Sequence, residues 1–188
     1  LGTNELTSGN SYTYAATEEG RLEFDFIIKD AEGNPMGYAR SVWAMIDTET
    51  RRPCDLVTLY DGDLLNYVVS DEENVCPIEG HGRFRFRDAQ LVRTLTTCYS
   101  DIDINGHVNS IKYIEHILNL FSRQQMERGI KRFEIAYKAE SYMGDTLSFY
   151  IQPVDDNEID VEVRKNISED SNGDVVCQAK VRFNVSDE

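Results

Sequence analysis

Apolar and polar side chains alternate along the first part of this chain, and the period then changes. Leu22, Phe24 and Phe26 alternate with polar residues and run into Ile27 and Ile28, a period-two pattern that predicts a strand. Asp30-Ala31-Glu32-Gly33-Asn34-Pro35 has the composition of a turn, and residues 38–46 predict a second strand, so residues 22–46 are expected to form a hairpin. Residues 1–20 ahead of it are polar, with a weak alternation around Tyr12 and Tyr14. Residues 55–76 are mixed and acidic and read as a linker, irregular or weakly helical. Arg83-Phe84-Arg85-Phe86-Arg87 alternates strictly, which predicts a strand with arginines on one face and phenylalanines on the other. Residues 91–99 form a further extended segment.

The period then lengthens. Val108, Ile111, Ile114, Ile117, Leu118 and Phe121 recur at three- and four-residue steps and predict one amphipathic helix. Asp103 or Asn105 is expected to cap its start, and Gly129 lies past its end. Residues 133–140, 146–152, 159–165 and 175–185 read as strands, separated by the turn sequences Tyr142-Met143-Gly144-Asp145, Asp155-Asp156-Asn157 and Asp170-Ser171-Asn172-Gly173-Asp174. One long helix followed by antiparallel strands is an α+β plan in which the sheet wraps the helix's apolar stripe.

Composition narrows the function. The chain has 188 residues, 40% hydrophobic and 28% charged, which is enough apolar material for a core. Its 19 Lys and Arg stand against 34 Asp and Glu, a net charge of −15, which argues against nucleic acid as a partner. No apolar run approaches the length of a membrane span, so no membrane association is expected. Cys54, Cys76, Cys98 and Cys177 form no Cys-x-x-Cys pair, and with His81, His107 and His116 they show no metal-ligand spacing. Scattered thiols fit a reducing cytosol, so a cytoplasmic protein without a bound metal is expected.

Chemistry concentrates in Tyr99-Ser100-Asp101-Ile102-Asp103-Ile104-Asn105-Gly106-His107-Val108-Asn109, just before the predicted helix. A helix start presents free backbone N–H groups and a partial positive charge, where a carbonyl oxygen can be held as it becomes an oxyanion. The same positive end disfavours an imidazolium at His107. Gly106 lets a substrate approach the backbone closely. The plain alternative is a capped helix with satisfied polar side chains.

Residues 99–114 resemble the active-site motif of acyl-acyl-carrier-protein thioesterases, double hot-dog enzymes of plants and bacteria. In that motif an Asp, an Asn and a His at alternate positions open the central hot-dog helix, and here they are Asp103, Asn105 and His107. Tyr137-Lys138-Ala139-Glu140-Ser141 is similar to the strand that supplies the family's catalytic Glu, which would be Glu140. Arg40-Ser41-Val42-Trp43-Ala44-Met45-Ile46-Asp47 with Thr50-Arg51-Arg52-Pro53 resembles the end of the first hot dog. The likeness runs from about Glu23 to about Val185. Plant members usually carry Gln at Gly106 and a Cys at Ser141, once proposed as the nucleophile, so this sequence looks bacterial in type and a covalent thiol mechanism is not expected.

The resemblance implies a tandem hot dog with an incomplete N-terminal copy: residues 1–54 as that partial domain, 55–82 as a linker and 83–188 as the catalytic hot dog. It implies hydrolysis of fatty acyl-acyl carrier protein to free acid and carrier protein, with Glu140 or Asp103 as base, Asn105 and His107 orienting thioester or water, and no cofactor. Rivals are an acyl-coenzyme A thioesterase, a hot-dog dehydratase, or an acyl-binding protein without turnover. The partner would be acidic acyl carrier protein, which a chain of this charge repels overall. Arg83, Arg85 and Arg87, or Arg123, Arg128, Lys131 and Arg132, are the local clusters that could dock it, and a homodimer is left open. A hairpin at 22–46 with no helix to wrap leads us to expect a natural protein longer by about half a domain, with a start upstream of Leu1.

Overall fold

The computed structural model describes residues 11–16, 21–45, 47, 49–50, 52, 54, 76–78, 80, 82–168 and 171–185. The chain divides into two compact units, Leu1–Gly80 and His81–Glu188.

In the first unit, β1 (Ser11–Ala16), β2 (Arg21–Lys29) and β3 (Pro35–Ala44) form an antiparallel sheet in that order. The expected hairpin is β2–β3, and the weak alternation around Tyr12 and Tyr14 marks a third strand paired to it, with Tyr14 opposite Phe24. The turn closes as its composition requires: Asp30 Oδ1 accepts the N–H groups of Glu32 and Asn34, and Gly33 takes φ +89°. Asp25 is buried and held by a two-pronged pair to Arg40, with Nε–Oδ1 at 2.6 Å and Nη2–Oδ2 at 2.8 Å. The linker expected over residues 55–82 lies outside the described residues except at positions 76–78, 80 and 82, as do residues 1–10 and 17–20, on which the expectation of a missing half-domain bears.

The second unit is a hot dog. Strands β4 (Gln90–Thr96), β5 (Ile130–Tyr137), β6 (Thr146–Pro153), β7 (Glu158–Lys165) and β8 (Asp174–Phe183) make one antiparallel sheet in the order β4-β6-β7-β8-β5. The register aligns Phe149, Val163, Cys177 and Tyr137 in one row and Ile151, Val161, Ala179 and Ile135 in the next. These rows form the face that packs on helix α1 (Ser110–Leu118), whose Tyr113 and Ile117 are buried against it. Each buried aliphatic side chain contributes roughly 1.5–3 kcal/mol, so this layer is the main source of the unit's stability.

The predicted helix is shorter than its apolar period. It stops at Leu118; Ser122 caps a second, five-residue helix α2 (Arg123–Glu127), and Gly129 at φ +73° follows that one. Phe121 keeps the period because it too reaches the core, packing edge-on against Phe183 at 5.2 Å.

The expected strand at Arg83–Arg87 pairs with no other strand among the described residues. The opposite face of the sheet carries the row Gln152–Asp160–Lys180–Glu134, one residue per strand. Gly82 N–H donates to Glu134 Oε2 at one end of the row, and the N–H groups of Arg87 and Asp88 donate to Gln152 Oε1 at the other. Three strand spacings are roughly 14 Å, and five extended residues span roughly 16 Å. Residues 82–87 therefore cross the strands as a strap. The alternation survives, with Phe84 and Phe86 half-buried and Arg83, Arg85 and Arg87 exposed.

Candidate active site

Between β4 and α1 the chain makes a single 3-10 turn (Tyr99–Asp101) and then a tight turn at residues 103–107. Asp103 organises the second turn. Its N–H donates to the His107 carbonyl at 2.8 Å, its carbonyl accepts from Gly106, and its Oδ1 accepts the N–H groups of Asn105 and His107 at 2.8 and 3.2 Å. Partial desolvation pushes the Asp103 carboxyl up, but the donated hydrogen bonds from Asn105 and His107 outweigh it and hold the group below the usual carboxylate range. Gly106 sits at φ +82° with no atom within 4 Å of where a Cβ would lie, so the turn needs glycine's conformation rather than its small size.

Neither Asp103 nor Asn105 caps the helix, contrary to the sequence expectation. Asn109 does: its Oδ1 accepts Ile111 N–H at 2.9 Å. All three are cap-forming types within seven residues, and the tight turn claims the first for itself.

Two separated segments are joined here by main-chain pairing. Val108 N–H donates to the Ser141 carbonyl at 2.7 Å, and His107 forms an antiparallel bridge with Tyr142. Glu140 thereby reaches the turn. It lies past the end of β5, in the connection to β6, rather than on a strand as expected. His107 Nε2 and Glu140 Oε2 are 3.6 Å apart, and the two side chains are 33% and 43% exposed. The gap is long for a hydrogen bond but close enough to tighten into one. Asn105 sits exposed on the crest of the turn, with its amide interacting with Asp103. An open depression beside them is lined by Tyr99, Ile102, Asp103, Ile104 and Asn109.

Residues 86–185 match the family described as the acyl-ACP thioesterase C-terminal domain. The chain belongs to the acyl-ACP thioesterase family. A crystal structure of an acyl-ACP thioesterase from Bacteroides thetaiotaomicron superposes with a TM-score of 0.82 at 46% identity, covering 93% of this chain and 68% of that one. The chloroplastic palmitoyl-acyl carrier protein thioesterase of Arabidopsis thaliana is 32% identical over 121 residues, which is 62% of this chain and 29% of that protein. The chloroplastic dodecanoyl-[acyl-carrier-protein] hydrolase of Cinnamomum camphora is 30% identical over 141 residues, 71% of this chain and 36% of that protein. The chain thus spans about a third of the length of these plant relatives.

Several neighbours of the candidate residues escaped sequence reasoning. Tyr142 donates its hydroxyl to Glu140 Oε2 at 3.2 Å, and Lys165 Nζ donates to the Glu140 carbonyl at 2.6 Å. Asp101, below the turn, meets His116 Nε2 of α1 at 3.2 Å. Tyr142 could have been found from its i+2 spacing to Glu140, which puts both on one face of an extended segment. A pairing fifteen residues apart, as in Asp101–His116, leaves no local trace. Ser141, the position at which the resemblance places a Cys in plant members, is 1% exposed and so shut away from solvent. Burial pushes the Cys177 thiol up to about 12, which leaves it inert.

The candidate docking arginines separate into two kinds. Arg128 is a staple: it donates to the Asn184 carbonyl and Asn157 Oδ1 and lies 5.7 Å over the Phe183 ring. Arg132 is paired with Glu134 at 2.8 Å, and Arg123 with Glu127 at 2.8 Å. Arg83, Arg85, Arg87 and Lys131 are exposed and have no ion-pair partner among the described residues.

Proposed function

We propose that this chain is the catalytic part of a thioesterase that hydrolyses fatty acyl-acyl carrier protein to free fatty acid and carrier protein. The observation that carries this reading is the 3.6 Å approach of His107 Nε2 and Glu140 Oε2, brought together from two separated motifs, in a chain of this family. Glu140 takes a proton from water as the water oxygen attacks the thioester carbonyl carbon. Glu140 then returns that proton, relayed through His107, to the departing pantetheine sulfur as the C–S bond breaks, which leaves both side chains as they began. Asp103 holds the shape of the turn, and Asn105 orients the thioester. The N–H groups of residues 105–109 are already bonded, to Asp103, Ser141 and Asp101. We therefore assign the oxyanion to Ser110 N–H, at the first position of α1, together with the Asn105 amide.

We assign residues 83–188 as the catalytic hot dog and the strap arginines Arg83, Arg85 and Arg87, with Lys131, as the surface for the acidic carrier protein. Arg123, Arg128 and Arg132 are spoken for within the chain. Four free thiols fit the reducing cytoplasm. The test is acid release from a panel of acyl carrier protein thioesters and their coenzyme A counterparts, with the natural full-length protein. The expected result is faster turnover of the carrier-protein thioesters, with reversal of Arg83, Arg85 and Arg87 to Glu raising KM for those substrates by about tenfold and sparing the coenzyme A ones. Equal effects on both substrates would remove the strap from docking. Binding without acid release would overturn the catalytic reading.

A further inference from the structure

We propose that Tyr142 is a positioning residue for the Glu140–His107 pair, braced from β7 by Lys165. The proposal rests on the reading of Glu140 as the base. One side chain touches both members of the pair. The Tyr142 hydroxyl donates to Glu140 Oε2 at 3.2 Å, the same oxygen that faces His107 Nε2 at 3.6 Å. The Tyr142 ring meets the His107 imidazole edge-on, with centroids 5.1 Å apart and planes at 78°.

Tyr142 is itself held. Its N–H donates to Asp145 Oδ2 at 2.9 Å, and its backbone bridges to His107. Lys165, at the end of β7, donates to the Glu140 carbonyl at 2.6 Å, lies 5.6 Å over the Tyr142 ring and stands 3.8 Å from Asp145 Oδ2. One ammonium therefore touches the Glu140 main chain, the Tyr142 ring and the carboxylate that anchors Tyr142. A partly exposed glutamate has three rotatable side-chain bonds, and a base serves only from the rotamer that reaches the attacking water. A fixed hydroxyl on Oε2 narrows that choice and keeps the carboxylate beside the imidazole. Tyr142 is 47% exposed, and Tyr142→Phe keeps its ring contacts while removing only the hydroxyl.

The test is steady-state hydrolysis of an acyl carrier protein thioester by the full-length protein and its Tyr142→Phe, Glu140→Gln and doubly substituted variants. Tyr142→Phe is expected to lower kcat by about tenfold with KM within about twofold, the size of one well-placed hydrogen bond. In the Glu140→Gln background, Tyr142→Phe is expected to change kcat no further, because the group it positions is gone. Lys165→Met, which keeps the hydroxyl but loses the brace, is expected to lower kcat in the same direction. Wild-type kcat in both Tyr142→Phe and Lys165→Met overturns the positioning role and leaves the base assignment standing. An equal loss from Tyr142→Phe with and without Glu140 also overturns it, since the effect would not run through Glu140. Full activity in Glu140→Gln alone overturns the base assignment itself, and the positioning role with it.

Discussion

Asp103 and Glu140 are both carboxylates beside His107, but their surroundings differ. Asp103 Oδ1 already accepts two backbone N–H groups, and its carboxyl is held below the usual range, which makes it a poor proton acceptor. Glu140 is 43% exposed and faces the imidazole at 3.6 Å. The division of labour can be tested by substitution. Asp103→Asn keeps a side-chain oxygen for the two N–H groups and is expected to retain kcat within about tenfold, whereas Asp103→Ala loses about a hundredfold as the turn loosens. Equal losses in the two variants would mean that the charge, and not the acceptor, is what the reaction needs. Asp103 and His107 were legible in the sequence through the motif at 99–114, and Glu140 through the segment at 137–141. What sets the two carboxylates apart was not, because it depends on N–H groups that only the folded turn directs at Asp103.

Elements were legible where period decides them and obscure where partners do. The three- and four-residue apolar steps located α1, alternation located β2, and the turn sequences between them bounded β3 and β5 to β8. Alternation could not distinguish a strand in a ladder from the strap at residues 82–87, because both put alternate side chains on opposite sides and only hydrogen bonding differs. The same ambiguity covers charge: Arg83, displayed on the strap, and Arg128, stapled to Asn157 and Asn184, look alike as letters. The start of α1 offers a direct check. Asn109→Ala should destabilise the protein by about 1 kcal/mol, whereas Asn105→Ala should leave the urea midpoint unchanged. A midpoint shift from Asn105→Ala and none from Asn109→Ala would return the cap to its predicted place.

At the scale of the whole molecule, charge is organised rather than merely abundant. Glu158, Asp160 and Glu162 are 5%, 2% and 3% exposed on the sheet face that the strap crosses, and they are paired with Lys180, Arg182, Arg164 and Gln178. Burial pushes the Glu158 carboxyl up, but Lys180 and Arg182 outweigh it and leave the group below its ordinary value of 4.5. Asp101 behaves likewise: burial raises it, and the Cys98 N–H and thiol with His116 bring it below 3.8. A carboxyl lowered on folding stabilises the fold above its unfolded value and loses that contribution as pH falls through the lowered one. Stability at 0.15 M salt, where a Debye length of about 8 Å screens general repulsion, should therefore hold from neutrality down to about pH 4.5 and fall below it. A melting temperature that rises on acidification below pH 4 would contradict this. The α+β class was legible from one helix among strands, but the burial of the carboxylates on the strap face was not, since burial on a sheet's second face has no signature in alternation.

The most direct measurement of the central claim is the kcat of Glu140→Gln against wild type, on an acyl carrier protein thioester, with the full-length protein. The account predicts a loss of about a hundredfold or more with the melting temperature unchanged, because a half-exposed carboxylate that serves as base is lost without a change in packing. Turnover within about threefold of wild type would contradict it, since general-base catalysis contributes far more than that.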